Sequence, residues 1–530
     1  MNTGLFRSTD GKSHAVTFCL VSSLFLLWGF CNGMIDVMDK HFQEELHLTL
    51  AQSAWVQFAH YLGYFLMAIP AGYLANKLGY KGGIIAGLLM VAVGGFWFIP
   101  ATQIATFWAF LVGVCFIASG LTFLETIANP YSTVLGPKQF AATRINLAQS
   151  CNGVGWIFGP IVGSRFFYAQ NAAGKSTGAE TLWIPYVGVA VVVIILAVLF
   201  FFANVPDIKA DDEFHMDDSA ADPAPGKQEV IPNRPVAMGL LWLNIVVLAI
   251  AVGMICSAVA TIWDPSKELP TFIGTSVILG LIGTAILFTK SKAITHHSVW
   301  SHPHFSSATL TQFFYVAAQC GVFAYFINYM TSQIPAMPIE WKNGMDNFAS
   351  HMGPLQGWFT GWLEVHPNGN LGLSNLGAGN LASLGFFCFL LGRVVGAWLL
   401  KQNPAHKILG IFGTASAICS LLIFLKLGWL SAIALFLSYF FMSIMFPTIF
   451  SLGIHGLGSR AKKASSFIVM AIMGGAIMPK MMGHIADVKG MSIAFIVPLV
   501  CFLVVAGYGF FWSKLSGSDG VVGLESKGGH

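Results

Sequence analysis

Residues 70–83 read PAGYLANKLGYKGG and connect two apolar runs, 51–75 and 82–99. A related connection, GRVVGAWLLKQNPAHK, occupies residues 392–407 in the second half of the chain. Each places a small residue before basic ones, which suits a close helix crossing followed by a helix end near anionic headgroups. The repeat predicts two related helical halves that span a membrane.

The composition of the chain also indicates a membrane protein. Of its 530 residues, 55% are hydrophobic and 9% are charged, and the mean hydropathy is +0.70. A soluble domain has roughly 25% charged residues. Runs of about 20 apolar residues, long enough to cross the hydrocarbon core as helices, recur along the sequence. The fourteen runs lie near 14–37, 51–75, 82–99, 104–131, 143–167, 183–204, 236–262, 270–289, 305–330, 378–400, 408–425, 429–453, 464–486 and 491–513.

These runs predict an all-α polytopic membrane protein of about 14 transmembrane helices, with two six-helix halves plus two inserted helices. The predicted parts are a first half at 1–205, an acidic linker at 206–235, an inserted pair at 236–290, a second half at 291–515 and a tail at 516–530. Lysines and arginines concentrate in alternate short loops, so the positive-inside rule places both termini and the linker in the cytoplasm. Halves of this kind are typical of rocking-bundle transporters, whose site lies between them at mid-membrane.

One carboxylate lies in the middle of the fourth apolar run, where a charged side chain costs about 2.5–3.5 kcal/mol. In LTFLETIANPYSTVLGP it is Glu125, and Asn129 follows four residues later on the same helical face. On the next run, Gln149 and Asn152 also share a face. Carboxylates and amides provide the fixed donors and acceptors that sugar recognition needs. Hydrogen bonding between helices is the alternative role for these side chains.

A second carboxylate, Asp36, lies near the end of the first apolar run in WGFCNGMIDVMDKHFQ. Burial in a low dielectric favours the neutral form of a carboxyl group, so this residue is a candidate for proton exchange. The alternative is a solvated helix end beside Asp39 and Lys40, which are themselves expected to be solvated.

Other polar residues receive structural interpretations. Lys480 can pair with a cavity carboxylate or extend its long side chain outward toward Asp487. Arg393 is expected to hydrogen-bond helix ends within the second half. A histidine cluster in a cytoplasmic loop is expected to be solvated rather than to bind metal, and it consists of His296, His297, His302 and His304.

The order of the motifs resembles that of a known family. The motifs are LWGFCNGMIDV, PAGYLANKLGYK, FLETIANPYSTVLGP, INLAQSCN, FFYVAAQ, MFPTIFSLGI and SSFIVMAIMGGAIM. Together they resemble the successive motifs of the fucose–galactose–glucose:proton symporters within the major facilitator superfamily, over about 14–205 and 300–515. The resemblance implies the major facilitator fold and proton-coupled uptake of a monosaccharide.

The resemblance also implies roles for particular residues. The family's first-helix aspartate and fourth-helix glutamate, which are implicated in proton coupling and sugar binding, match Asp36 and Glu125. Its polar pair on the fifth helix matches Gln149 and Asn152. Its seventh-helix glutamine matches Gln319.

The sequence departs from the family pattern in four places. His60 replaces an apolar or aromatic residue, and Gly33 replaces an asparagine next to the expected site. Residues 236–289 and the long outer segment at about 333–375 have no counterpart. Trp358 and Trp362 of that segment are expected to rest at the membrane interface. The alternative is that the segment forms a lid over the substrate.

We therefore predict proton-coupled import of a monosaccharide, of the L-fucose or glucose/galactose type, by alternating access across a bacterial inner membrane. Asp36 and Glu125 are predicted to couple protons, and the predicted sugar-binding side chains are Glu125, Asn129, Gln149, Asn152 and Gln319. The expected partners are a sugar and membrane lipid, the protein is expected to be monomeric, and no cofactor, metal or nucleic acid is expected. An uncoupled or sodium-coupled transporter and a sugar sensor are the alternatives. An intramembrane enzyme is not expected, because no nucleophile–base pair or metal set has convincing spacing.

Overall fold

The structure is a computed structural model that consists mainly of long helices. It describes residues 6, 13–135, 141–168, 181–203, 205, 234–297, 299–353, 356–366, 369–455, 457, 467–468 and 470–516. The predicted linker at 206–235 and the predicted tail at 516–530 fall almost wholly outside the described residues.

The helices before the second half are α1 (Ala15–Glu45), α2 (Leu50–Ser53), α3 (Trp55–Ile104), α4 (Phe107–Val134), α5 (Ala141–Phe167), α6 (Trp183–Phe202), α7 (Arg234–Trp263) and α8 (Glu268–His297). The later helices are α9 (Pro303–Ala324), α10 (Phe326–Ser332), α11 (Glu340–Ser350), α12 (Gln356–Phe359), α13 (Asn375–Gln402), α14 (Ala405–Phe424), α15 (Trp429–Met442), α16 (Met445–Ile454), α17 (Gly474–Lys489), α18 (Met491–Ala494) and α19 (Ile496–Ser516). We call residues 15–202 the first half and residues 303–516 the second half.

The predicted count of fourteen spans is not confirmed. Among the described residues, ten helices are long and apolar enough to cross a membrane, or eleven if α9 and α10, which meet at 45°, form one span. The predicted runs at 51–75, 143–167 and 464–486 do contain helix but are not among them. Polar residues lower the hydropathy of α5, and α17 has only 16 residues. A count based on length and hydropathy therefore misses spans whose helices are short or carry polar side chains.

The connection at 70–83 is a break inside α3. Gly79 has φ 70° and ψ 179° there, a conformation that only glycine adopts readily. The related connection at 392–407 lies between α13 and α14, which end at Gln402 and begin at Ala405. Both halves thus change direction at the predicted positions.

Glycines fix the crossing of α1 and α5. Gly29 and Gly33 on α1 face Gly155 and Gly159 on α5, with four-residue spacing on both helices. A Cβ atom on Gly159 would lie 2.6 Å from the Phe30 carbonyl oxygen and 2.8 Å from the Gly33 Cα. Such close backbone approach is the usual way that small residues join membrane helices. Gly33, a departure from the family pattern, is therefore needed for packing.

The second half is tied together at the break between α15 and α16. Arg393 on α13 donates from Nε to the Ser443 carbonyl oxygen at 3.4 Å, and its guanidinium lies 4.9 Å from the centre of the Phe389 ring. The prediction that Arg393 bonds helix ends within this half is confirmed.

The inserted pair, α7 and α8, packs mainly on itself, and α7 also contacts α9. Asn244 on α7 donates to the Ser306 carbonyl oxygen on α9 at 2.9 Å. Only 6% of the most apolar stretch of α8 is buried inside the protein, and its Leu281 and Phe288 are 67% and 72% exposed. These side chains suit contact with lipid tails.

The long segment at about 333–375 contains short helices and a β-hairpin. After α11 and α12, strand β1 (Leu363–Val365) pairs antiparallel with β2 (Leu371–Leu373), with Leu363 opposite Leu373. Ser374 then caps α13 by accepting from the Gly377 amide at 3.0 Å. This hairpin is an exception to the all-α prediction. The Trp362 ring stacks on Phe359 at 5.8 Å, and the Trp358 side chain lies outside the described residues.

Candidate functional site

A narrow cleft lined by both apolar and polar side chains lies between the two halves. Its lining includes Asn32, His60, Tyr61 and Trp156 from the first half, and Cys320 and Phe323 from the second. The volume of the cleft is about 10 Å³, which is room for about one water molecule. The halves are therefore nearly closed on each other here.

Tyr64 organises the polar groups behind this cleft. The Trp28 indole on α1 donates to the Tyr64 hydroxyl at 2.6 Å. The Asn32 side chain also reaches this hydroxyl, and the Glu125 carboxylate on α4 lies within electrostatic range of it. The His60 ring lies 5.0 Å from the rings of both Tyr61 and Tyr64. Helices α1, α3 and α4 thus bring together a carboxylate, an amide, an indole N–H, a phenol hydroxyl and an imidazole ring.

The structure places the predicted site residues unequally. Glu125 is half-buried in the middle of α4, and its carboxylate lies within electrostatic range of the Tyr64 hydroxyl. Gln149 on α5 and Gln319 on α9 are also half-buried, and Gln319 precedes Cys320 of the cleft. The side chains of Asp36 and Asn129 lie outside the described residues, so their roles stay predictions.

Asn152 has a structural contact. Its Nδ2 donates to the Phe25 carbonyl oxygen on α1 at 3.2 Å, and the residue is 2% exposed. The bond reinforces the glycine crossing of α1 and α5. Its sugar-binding role stays a prediction beside this interhelical contact.

Sequence reasoning missed Trp28, Asn32 and Tyr64, and treated His60 only as a departure from the family pattern. A signal was available in their spacing. Trp28 and Asn32 are four residues apart and Asp36 follows after another four, so they share one helical face, as do His60 and Tyr64. Isolated aromatic or polar residues in apolar runs look like core, but their periodicity indicates a common polar face.

Comparison with known proteins decides the family. Residues 17–323 match the family model of the Major Facilitator Superfamily. The chain belongs to the major facilitator superfamily.

Relatives that match nearly the full length of the chain are named as transporters or symporters. The L-fucose–proton symporter of Escherichia coli is 30% identical over 97% of this chain and 98% of its own. A glucose/galactose transporter of Brucella abortus is 25% identical over 96% of this chain and 97% of its own. A crystal structure of the fucose transporter in the outward conformation is 29% identical, covers 95% of this chain and 100% of its own, and has a TM-score of 0.57.

In this superfamily member the two halves touch at the end of the bundle where α1 ends, which the basic residues predict to be the outer side. The Leu50 amide donates to Asp487 Oδ1 at 2.8 Å, and Asn328 Nδ2 donates to Gln43 Oε1 at 2.8 Å. The Tyr325 hydroxyl lies 3.0 Å from the Leu50 carbonyl oxygen. The structure is therefore closed on this side.

The prediction that Asp39 and Lys40 are solvated is wrong. Asp39 is 2% exposed and lies within electrostatic range of the Tyr168 and Tyr325 hydroxyls. Lys40 forms an ion pair with Glu44 at 3.1 Å, and its side chain is 14% exposed. Both residues are covered because α1 continues to Glu45 and the second half packs over its end.

Lys480 has a partner other than the two that were predicted. Its ammonium group contacts the Glu268 carboxylate at the start of α8 and lies 3.6 Å from the centre of the Trp55 ring on α3. Asp487 instead accepts from the Leu50 amide. Lys480 therefore connects the inserted pair and both halves near the end of the bundle where α1 ends.

His304 is likewise not solvated. It is 6% exposed, and its Nε2 lies 2.9 Å from the His455 carbonyl oxygen. The chain folds this part of the predicted loop into the start of α9, against α19. Within the part of the chain that the structure describes, no group of three or more His, Cys, Asp or Glu side chains could hold a metal ion.

We expect Asp487→Ala to open the outer side more often, because the Leu50 amide loses its acceptor. Loss of a hydrogen bond worth about 1 kcal/mol corresponds to about fivefold more of the open state. Cys320, which is 4% exposed in the cleft, reports this opening in a variant without the other eight cysteines. A small impermeant thiol reagent is expected to modify it about fivefold faster. The control is Asp346→Ala on the exposed face of α11, and equal rates in both variants would contradict the role of Asp487.

Proposed function

We propose that the protein is a proton-coupled symporter that imports a monosaccharide, of the L-fucose or the glucose/galactose type, by alternating access. The observation that carries this proposal is the full-length similarity to the E. coli L-fucose–proton symporter, at 30% identity. The Brucella glucose/galactose transporter widens the range of candidate sugars. The Glu125 carboxylate lies among aromatic and amide groups, and this chemistry suits both a proton and a sugar.

The proposed mechanism assigns one proton site and one sugar site that overlap. Glu125 binds a proton when it faces the outside, which removes a charge that is costly inside the membrane. The neutral carboxyl group can also donate to a sugar hydroxyl, while Gln149, Asn152, Gln319 and Asn129 offer further donors and acceptors.

Asp36 is proposed as the second proton-exchanging group, nearer the helix end. Because each ligand changes the affinity for the other by the same factor, proton binding favours sugar binding and sugar binding favours proton binding. The loaded halves then rock about the central site, and the sugar and the proton leave on the inner side.

The proposed setting is a bacterial inner membrane with both termini cytoplasmic, which follows from the positive-inside pattern and from the bacterial relatives. We propose the division into a first half at 1–205, a linker at 206–235, an inserted pair at 236–290, a second half at 291–515 and a tail at 516–530. The protein is proposed to work as a monomer with no cofactor.

Uptake of radiolabelled L-fucose, D-galactose and D-glucose into proteoliposomes tests the function. With the outside more acidic, at least one sugar is expected to accumulate above its external concentration. Equilibration without accumulation would instead show a facilitator, and accumulation driven by a sodium gradient would show sodium coupling. Binding without flux would show a sensor. The absence of both binding and flux would overturn the proposal.

A further inference from the structure

Two buried polar atoms, on residues that line the cleft, have no hydrogen-bond partner among the described residues. They are Nδ1 of His60 on α3 and Oδ1 of Asn32 on α1. His60 is 3% exposed and Asn32 is 8% exposed, so bulk water does not satisfy either atom. Other buried polar atoms among the described residues also lack a partner, but His60 and Asn32 are the residues of this kind that belong to the lining of the cleft.

Burial of such atoms without a partner is costly, whereas an aromatic or aliphatic side chain would fill the same space at no such cost. Aromatic side chains lie in the wall beside them. The aromatic side chains of Tyr61 and Trp156 line the cleft, and the Trp156 ring packs against Phe386 of the second half at 4.7 Å between ring centres. Aromatic faces suit the C–H face of a sugar ring, and the free nitrogen and oxygen atoms suit its hydroxyl groups.

We propose that His60 and Asn32 bind hydroxyl groups of the transported sugar, and that His60 determines which sugars are accepted. This inference rests on the proposed function and deepens it. Asn32 Oδ1 can only accept, so the ligand must present a hydroxyl that donates to it. His60 Nδ1 donates or accepts according to its tautomer, so it requires a hydroxyl, or an equivalent polar atom, at the facing position of the sugar.

The requirement gives a specificity rule. A site that is built to bond a hydroxyl rejects an analogue that lacks it, because the buried polar group of the site is then left unpaired. The substrate is therefore a hexose with a hydroxyl at the position that faces His60, and a deoxy sugar at that position is excluded.

A cycle that combines variants with sugar analogues tests this rule. The probe is whichever of L-fucose, D-galactose and D-glucose the wild type takes up, together with its monodeoxy analogues as competitors. We expect one monodeoxy analogue to bind the wild type about tenfold to hundredfold more weakly than the parent sugar. In His60→Phe the parent sugar is expected to weaken by a similar factor, while that analogue binds as it does to the wild type.

His60→Asn and His406→Phe complete the test. Asn retains a polar group near the position of Nδ1 and is expected to restore much of the discrimination, which a purely structural role for His60 would not predict. His406 is a matched control, since it is 4% exposed and also has an unpartnered Nδ1, yet it stacks on Trp512 at 5.4 Å, away from the cleft. His406→Phe is expected to leave the analogue profile unchanged.

The outcomes separate this inference from the proposed function. If the wild type binds sugar and His60→Phe keeps the full analogue profile, or weakens every analogue by the same factor, the inference is wrong and the function stands. If the wild type binds none of the sugars, the proposed function itself fails. If His60→Phe does not fold, His60→Gln decides, because its amide lies near the position of Nε2 rather than Nδ1. An unchanged analogue profile in His60→Gln would then overturn the assignment.

Discussion

Glu125→Gln is expected to abolish accumulation of sugar against a gradient while leaving downhill exchange within about tenfold of the wild-type rate. Glutamine has nearly the same shape as glutamate and keeps hydrogen-bonding atoms for a hydroxyl, but it cannot take up or release a proton. The accumulation ratio in proteoliposomes under an imposed pH gradient should therefore fall to about one. Counterflow of labelled sugar, which needs no net proton movement, should persist.

The matched control is Glu340→Gln, which removes a carboxylate from the exposed start of α11 in the outer segment. It changes the formal charge of the chain by the same amount without touching the cleft, and full accumulation is expected. If Glu125→Gln retained gradient-driven accumulation, Glu125 would not be the coupling group. If it lost counterflow as well, its main role would be sugar binding or packing.

Gly159→Leu is expected to prevent folding of the first half. The Cβ atom alone would lie 2.6 Å from the Phe30 carbonyl oxygen and 2.8 Å from the Gly33 Cα, so backbone rather than a flexible side chain would have to move. Overpacking typically costs about 1–3 kcal/mol, and separating two helix backbones costs more than repacking side chains. We expect no monodisperse protein in detergent by size-exclusion chromatography.

Gly188→Leu provides the control, because a Cβ atom on this glycine of α6 would meet nothing within 4 Å. The same added side chain should leave the elution profile and the apparent melting temperature nearly unchanged. Equal stability of the two variants would show that the backbones of α1 and α5 are farther apart than in the structure.

Local sequence patterns predicted what depends on local chemistry. The break at 70–83 followed from its glycines and lysines and is present at Gly79. The role of Arg393 followed from a cation that needs acceptors inside an apolar half. Glu125 stood out because a carboxylate within an apolar run is energetically costly.

Features that depend on distant segments could not be predicted in this way. Asp39 is buried because Tyr168 and Tyr325 approach from elsewhere in the chain. Lys480 and Glu268 are 212 residues apart, so no local pattern joins them. His60 resembles a core residue apart from its four-residue spacing from Tyr64, and the cleft between the halves shows that it lies beside residues of the other half.

The central claim is that sugar and protons cross the membrane together, and sugar-induced proton entry measures this directly. De-energised cells that produce the protein are suspended in a lightly buffered medium, and the transported sugar is added while the external pH is recorded. We expect the external pH to rise as protons enter with the sugar, and to stay constant when cells produce the Glu125→Gln variant. Entry of labelled sugar into wild-type cells with no change in external pH would contradict the account.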